Sequence, residues 1–191
     1  MRRRYATFRR CKLIDISKKR LPTAAMIPLV YITYCAAFWF GTRGTLAYYS
    51  SQSELPGWFA NDAWAFFLGG AFPTLIYGLF TMFVFKMLPV KTGGGNTAAL
   101  RNGLHYAVMA ANIVLFLLKF MYIALPLYAP MLEIILDPTV TLLFVGLYMW
   151  YAFYMNYVDK SRYHVVLTQV FGSFIMIYGL ITVINLIMAV I

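Results

Sequence analysis

KKRLPTAAMIPLVYITYCAAFWFG, residues 18–41, joins three consecutive basic side chains to an uncharged, mainly apolar run. A bilayer core of about 30 Å is crossed by roughly 20 helical residues, and the run from Pro22 to Gly41 meets that length. Pro22 suits a helix's first turn, where its missing N–H costs nothing. The run is too long for the apolar part of a cleaved signal peptide and reads as an uncleaved signal-anchor.

Four further stretches of the same kind follow, so the spacing predicts transmembrane helices over about 22–41, 63–88, 104–127, 131–157 and 163–191. The Lys and Arg between them alternate in side. Arg2, Arg3, Arg4, Arg9, Arg10, Lys12, Lys18, Lys19 and Arg20 precede the first stretch. Lys86, Lys91 and Arg101 gather between the second and third, and Lys160 and Arg162 between the fourth and fifth, while the other two loops carry just Arg43. Cytoplasmic loops retain Lys and Arg. The expected protein is therefore all-α: a polytopic bundle of five transmembrane helices, N-terminus cytoplasmic and C-terminus outside, with residues 1–21 a basic cytoplasmic segment and 22–191 the membrane domain. If the source is bacterial, the plasma (inner) membrane is the expected location.

The composition agrees. Of 191 residues, 62% are hydrophobic and 12% charged, with a mean hydropathy of +0.73, which is too apolar for a soluble domain of this length. The net charge of +10 follows loop topology instead of clustering on a soluble domain, which argues against nucleic acid as partner. Anionic lipid headgroups are the expected counter-charge for the basic segment, with Tyr5 and Phe8 lying among them, at about 1 kcal/mol per basic residue near the surface. Trp39, Trp58, Trp64 and Trp150, with many Tyr, gather toward the stretch ends as an interfacial aromatic belt does. Cys11 and Cys35, the two cysteines, make neither a disulfide framework nor a zinc site, which needs about four ligands.

Two loops are long. The first outer loop, TRGTLAYYSSQSELPGWFAND, carries Pro56, Gly57 and Trp58. The cytoplasmic loop PVKTGGGNTAALRNG is flexible by its glycines, but it lacks the GxxxxGK[ST] pattern and the preceding strand of a phosphate cradle.

One residue escapes the topological pattern. Lys119, inside LLKFMY in the third stretch, is expected to lie in the bilayer, where an ionisable group costs at least about 2.5–3.5 kcal/mol unless paired, hydrated or snorkelled. The turn between the third and fourth helices centres near Tyr128 and Ala129. Lys119 precedes it, and Asp137 follows it, by nearly the same number of residues. At 1.5 Å per residue both sit about 13 Å below the turn in antiparallel neighbours, so an intramembrane Lys119–Asp137 pair is expected. Glu133, one helical turn above Asp137, shares its face. The pair would either fix helix register or line a proton or ion path, for which Asn112, Gln169 and Asn185 are further polar candidates.

Pro73 and Pro138 fall within helices, and Gly69, Gly70, Gly78, Gly146, Gly172 and Gly179 are expected to allow close helix approach. His105 and His164 fall at the inner ends of the third and fifth helices and read as interfacial anchors. No HExxH, no supportable Ser/His/Asp grouping and no Cys/His pair at helical spacing is present, so neither an enzyme nor a cofactor or metal site is expected.

GGGNTAALRNGLHYAVMAANIV, a glycine-rich cytoplasmic loop running into a helix, resembles the corresponding loop and third helix of Yip1-like proteins. Trp150 followed by the polar hairpin YVDKSRYHVVL is similar to the family as well, and five spans with a cytoplasmic N-terminus match its topology. The resemblance implies a non-enzymatic integral membrane protein; eukaryotic relatives interact with small GTPases in membrane traffic. Here the segment before the first helix is basic, where those relatives carry an acidic-aromatic motif, and no binding residue is carried over. Two functions are expected: a Yip1-like or accessory subunit, with a membrane-protein partner or a second copy, working through helix packing and the basic segment; or a small transporter or channel component using Lys119, Asp137 and Glu133.

Overall fold

The computed structural model describes residues 23–52, 61–91, 97–124 and 130–190; within the helices the side chains of Lys86, Lys91, Glu133 and Asn185 lie outside that description. The basic segment, with Arg2, Arg3, Arg4, Arg9, Arg10, Lys12, Lys18, Lys19 and Arg20, and most of the loop around Trp58 lie outside the described residues too. The described chain folds into five α-helices, α1 (Thr23–Gln52), α2 (Asp62–Lys91), α3 (Thr97–Ala124), α4 (Pro130–Tyr154) and α5 (Tyr163–Val190), with no strand among the described residues. Among the described residues three segments are long and apolar enough to cross a membrane, Ala98–Met121, Ile135–Tyr154 and Lys160–Val183, and a shorter apolar run covers Ala25–Phe40.

The helix ends follow local chemistry. Asn61 caps α2, its Oδ1 accepting the Ala63 N–H at 2.8 Å, and Asp62 follows in the first turn, where a carboxylate complements the helix dipole. Pro130 opens α4 at the position that needs no donor. The other end of α4 closes in a Schellman motif. Tyr157 N–H donates to the Ala152 carbonyl and Asn156 N–H to that of Phe153, with Asn156 left-handed at φ 55°. A 3₁₀ turn, Lys160–Arg162, leads into α5, and Asp159 caps it by accepting the Ser161 N–H at 3.0 Å.

Two boundaries differ from the expected ones. α1 runs eleven residues past Gly41 (41 to 52), through much of the expected outer loop. TRGTLAYYSSQ holds no proline, and its one glycine, Gly44, costs only about 1 kcal/mol. Arg43 on this extension pairs with Asp62 at 2.9 Å. α3 begins at Thr97, seven residues before Leu104, because TAALRN is made of residues a helix accepts.

Contacting pairs fix the arrangement. Tyr31 reaches Phe67, Lys119 meets Asp137 and Thr141 meets Tyr178, so α1/α2, α3/α4 and α4/α5 are antiparallel. α1 and α3 run parallel, with Thr33 beside Asn112 and Phe38 beside Lys119. Each helix buries one stripe at helical spacing: Leu104, Val108, Ala111 and Leu115 on α3, Val145, Met149 and Ala152 on α4, Val166, Val170, Phe174 and Ile177 on α5. The opposite faces are apolar and exposed, as in Ile113, Leu117 and Phe120 of α3 or Leu143, Leu147 and Trp150 of α4. Apolar groups on both faces suit lipid as solvent.

Glycine permits close approach at two places. At Gly70 an added Cβ would overlap the Cys35 side chain and come 2.5 Å from its backbone nitrogen; at Gly103 it would overlap the Tyr148 ring. Gly146 faces Phe171 at 3.2 Å, whereas Gly78, Gly172 and Gly179 have nothing within 4 Å. Among the described residues, then, Gly172 and Gly179 meet no neighbouring helix at close range.

Candidate functional site

On α3 the buried stripe continues from Leu115 to Lys119, one turn on. On α4 the corresponding stripe runs from Val145 back through Thr141 to Asp137. Both ends are ionisable and both are buried, Lys119 at 4% and Asp137 at 7% exposure. The Lys119 Nζ donates to Asp137 Oδ2 at 3.0 Å and lies 3.0 Å from Oδ1, so the ammonium sits astride the carboxylate. Its other side rests over the Phe38 ring of α1, 4.7 Å from the centroid, where the ring's negative face adds attraction. Pro138 removes one backbone donor from α4, and next to it the Thr139 hydroxyl donates to the Ile135 carbonyl at 2.7 Å.

Below the pair lies a polar interior built from all five helices. Thr141, one turn along α4 from Asp137 and wholly buried, is 2.6 Å from the Tyr178 hydroxyl of α5. The Tyr34 hydroxyl of α1 is buried and interacts with that of Tyr178. The Tyr34 and Tyr77 rings lie 5.8 Å apart, tilted at 56°. Tyr77 of α2 in turn hydrogen-bonds its hydroxyl to His105 Nδ1 of α3 at 2.8 Å. A side branch links the Asn112 Nδ2, also wholly buried, to the Thr33 hydroxyl at 3.2 Å. Fourteen residues separate His105 from Lys119, so the polar series covers about 21 Å along α3.

His105 corrects the sequence reading. Expected as an interfacial anchor, it is buried at 4% exposure, because α3 starts earlier than expected and puts it more than two turns inside the helix. His164 is exposed. Of the other candidates, Gln169 is half-buried and accepts the Ser173 hydroxyl on its own backbone carbonyl, away from the pair. Glu133 lies on α4 one turn before Asp137, and its side chain is outside the described residues.

The tyrosines are what sequence reasoning missed. Tyr34, Tyr77 and Tyr178 each sit near the middle of their helices. That central position is the signal: a tyrosine far from both headgroup levels needs a buried partner for its hydroxyl. Among the described residues no group of three or more His, Cys, Asp and Glu could hold a metal ion. Compared with family models, with characterised proteins and with solved structures, the chain matches none.

Proposed function

We propose that this chain is a multi-pass membrane protein whose interior ion pair belongs to a path for a small ion, as a small transporter or channel component. The observation that carries the reading is the buried polar interior extending from Lys119 and Asp137 to His105, to which every helix of the bundle contributes a side chain. A pair that merely fixed the register of α3 and α4 needs no hydroxyls from α1, α2 and α5. Ionisable residues inside a membrane are costly and mark ion or substrate paths. The positive-inside pattern supports five spans with the N-terminus cytoplasmic, and that orientation puts His105 toward the cytoplasm and Lys119 toward the outside.

A second reading is a non-catalytic Yip1-like or accessory subunit. What favours it is that Gly172 and Gly179 of α5 meet nothing within 4 Å among the described residues, leaving room for a partner helix to approach closely. Purification after mild solubilisation separates the two. A lone particle that passes ions in liposomes, and loses this with Lys119→Met, supports the transport reading. A stoichiometric membrane partner, with no ion flux from the chain alone or from the complex, overturns it in favour of the accessory reading.

A further inference from the structure

The ion travelling along this path has to fit what lines it. Between the Lys119–Asp137 pair and His105 the links are hydroxyls: Thr141 to Tyr178 at 2.6 Å and Tyr77 to His105 at 2.8 Å. The void beside Tyr77, lined by Val84, Leu104, Val170 and Phe174 among others, measures about 10 Å³, at the lower limit for holding one water. That void has no room for a hydrated metal cation or chloride. A proton needs none, because it moves by exchange along hydrogen bonds.

Resting on the transport reading above, we propose that the series from Asp137 through Thr141, Tyr178 and Tyr77 to His105 is a proton relay. A proton arriving at the pair forms an O–H bond on the Asp137 carboxylate, leaving the Lys119 ammonium without its counter-charge. Asp137 then gives a proton to the Thr141 oxygen one turn away, and the Thr141 O–H bond breaks as its own proton passes to Tyr178. Each hydroxyl gains one proton and releases another, and nothing is oxidised or reduced. Tyr34 joins the two halves. Its buried hydroxyl interacts with that of Tyr178, and its ring lies 5.8 Å from that of Tyr77. His105, at the end of the described series, takes the proton at Nδ1 from Tyr77.

The test uses the whole protein in liposomes holding a pH-sensitive dye, with a potassium diffusion potential set by valinomycin. Wild type is expected to move protons well above empty vesicles. Tyr178→Phe and Tyr77→Phe, each deleting one oxygen, are expected to lower the flux at least tenfold while the melting temperature stays close to wild type; Thr141→Val serves in the same way where a Phe variant fails to fold. Wild-type flux retained in these variants overturns the relay. So does a wild-type protein that passes no protons but carries sodium, potassium or chloride in a Lys119-dependent manner, and that result leaves the transport reading standing. No flux of any of these ions overturns both.

Discussion

Replacing Lys119 by Met removes the ammonium and leaves the Asp137 carboxylate in a site that is 7% exposed. With N–O distances of 3.0 Å, the pair's attraction is about 5.5 kcal/mol at an effective dielectric constant of about 20. Desolvation of both groups offsets much of this, so the pair itself adds little net stability. Breaking it does not restore the lost hydration of the remaining partner, which is why removing one side of a buried pair typically costs about 3–5 kcal/mol. Lys119→Met and Asp137→Leu are each expected to destabilise by that amount. The double variant, with no buried charge left, is expected to lie closer to wild type than either single, giving a coupling energy of about 3 kcal/mol or more. Reversible unfolding in bicelles or mixed micelles measures all four corners of the cycle. Additive single effects, with coupling below about 0.5 kcal/mol, would refute the reasoning.

Three further outcomes follow from the packing. Phe38→Leu keeps an apolar side chain but removes the ring under the ammonium, and is expected to cost roughly 0.5–2 kcal/mol in wild type and less in Lys119→Met, as read by the same unfolding assay. Gly70→Ala, which meets the Cys35 side chain and backbone, is expected to cost about 1–3 kcal/mol, whereas Gly78→Ala, with nothing within 4 Å, is expected to be neutral or slightly stabilising; melting in detergent compares them. In the α4–α5 hairpin the Ser161 N–H holds the Asp159 carboxyl below the usual carboxylate range. The lowered value means that this cap is fully present above the ordinary Asp pKa of about 3.9 and is lost as acidification carries the carboxyl through its folded value; amide exchange at Ser161 is expected to accelerate there, and not in Asp159→Ala, which has already lost the cap.

The helical class was legible because apolar runs of membrane length leave few alternatives. Lys119 and Asp137 were legible individually, since a charge inside such a run stands out, and their equal distance from the Pro126–Pro130 turn supplied the partner. Helix ends were less so: α1 extends to Gln52 because glycine and polar residues tolerate helix without demanding it. That same weakness hid His105, whose burial depends on where α3 begins. The hydroxyl series was hidden for a different reason. Tyr34, Tyr77 and Tyr178 converge from three helices, and which faces meet is decided by packing at points such as Gly70 against Cys35, which a linear pattern does not encode.

Proton and ion flux through the Lys119→Met/Asp137→Leu double variant tests the central claim most directly, because that variant is expected to regain the fold while losing the charges. Reconstituted beside wild type at matched protein content, the double variant is predicted to melt near wild type yet carry no flux above empty vesicles. A double variant that conducts as wild type does would contradict the account and leave the pair a purely structural link between α3 and α4.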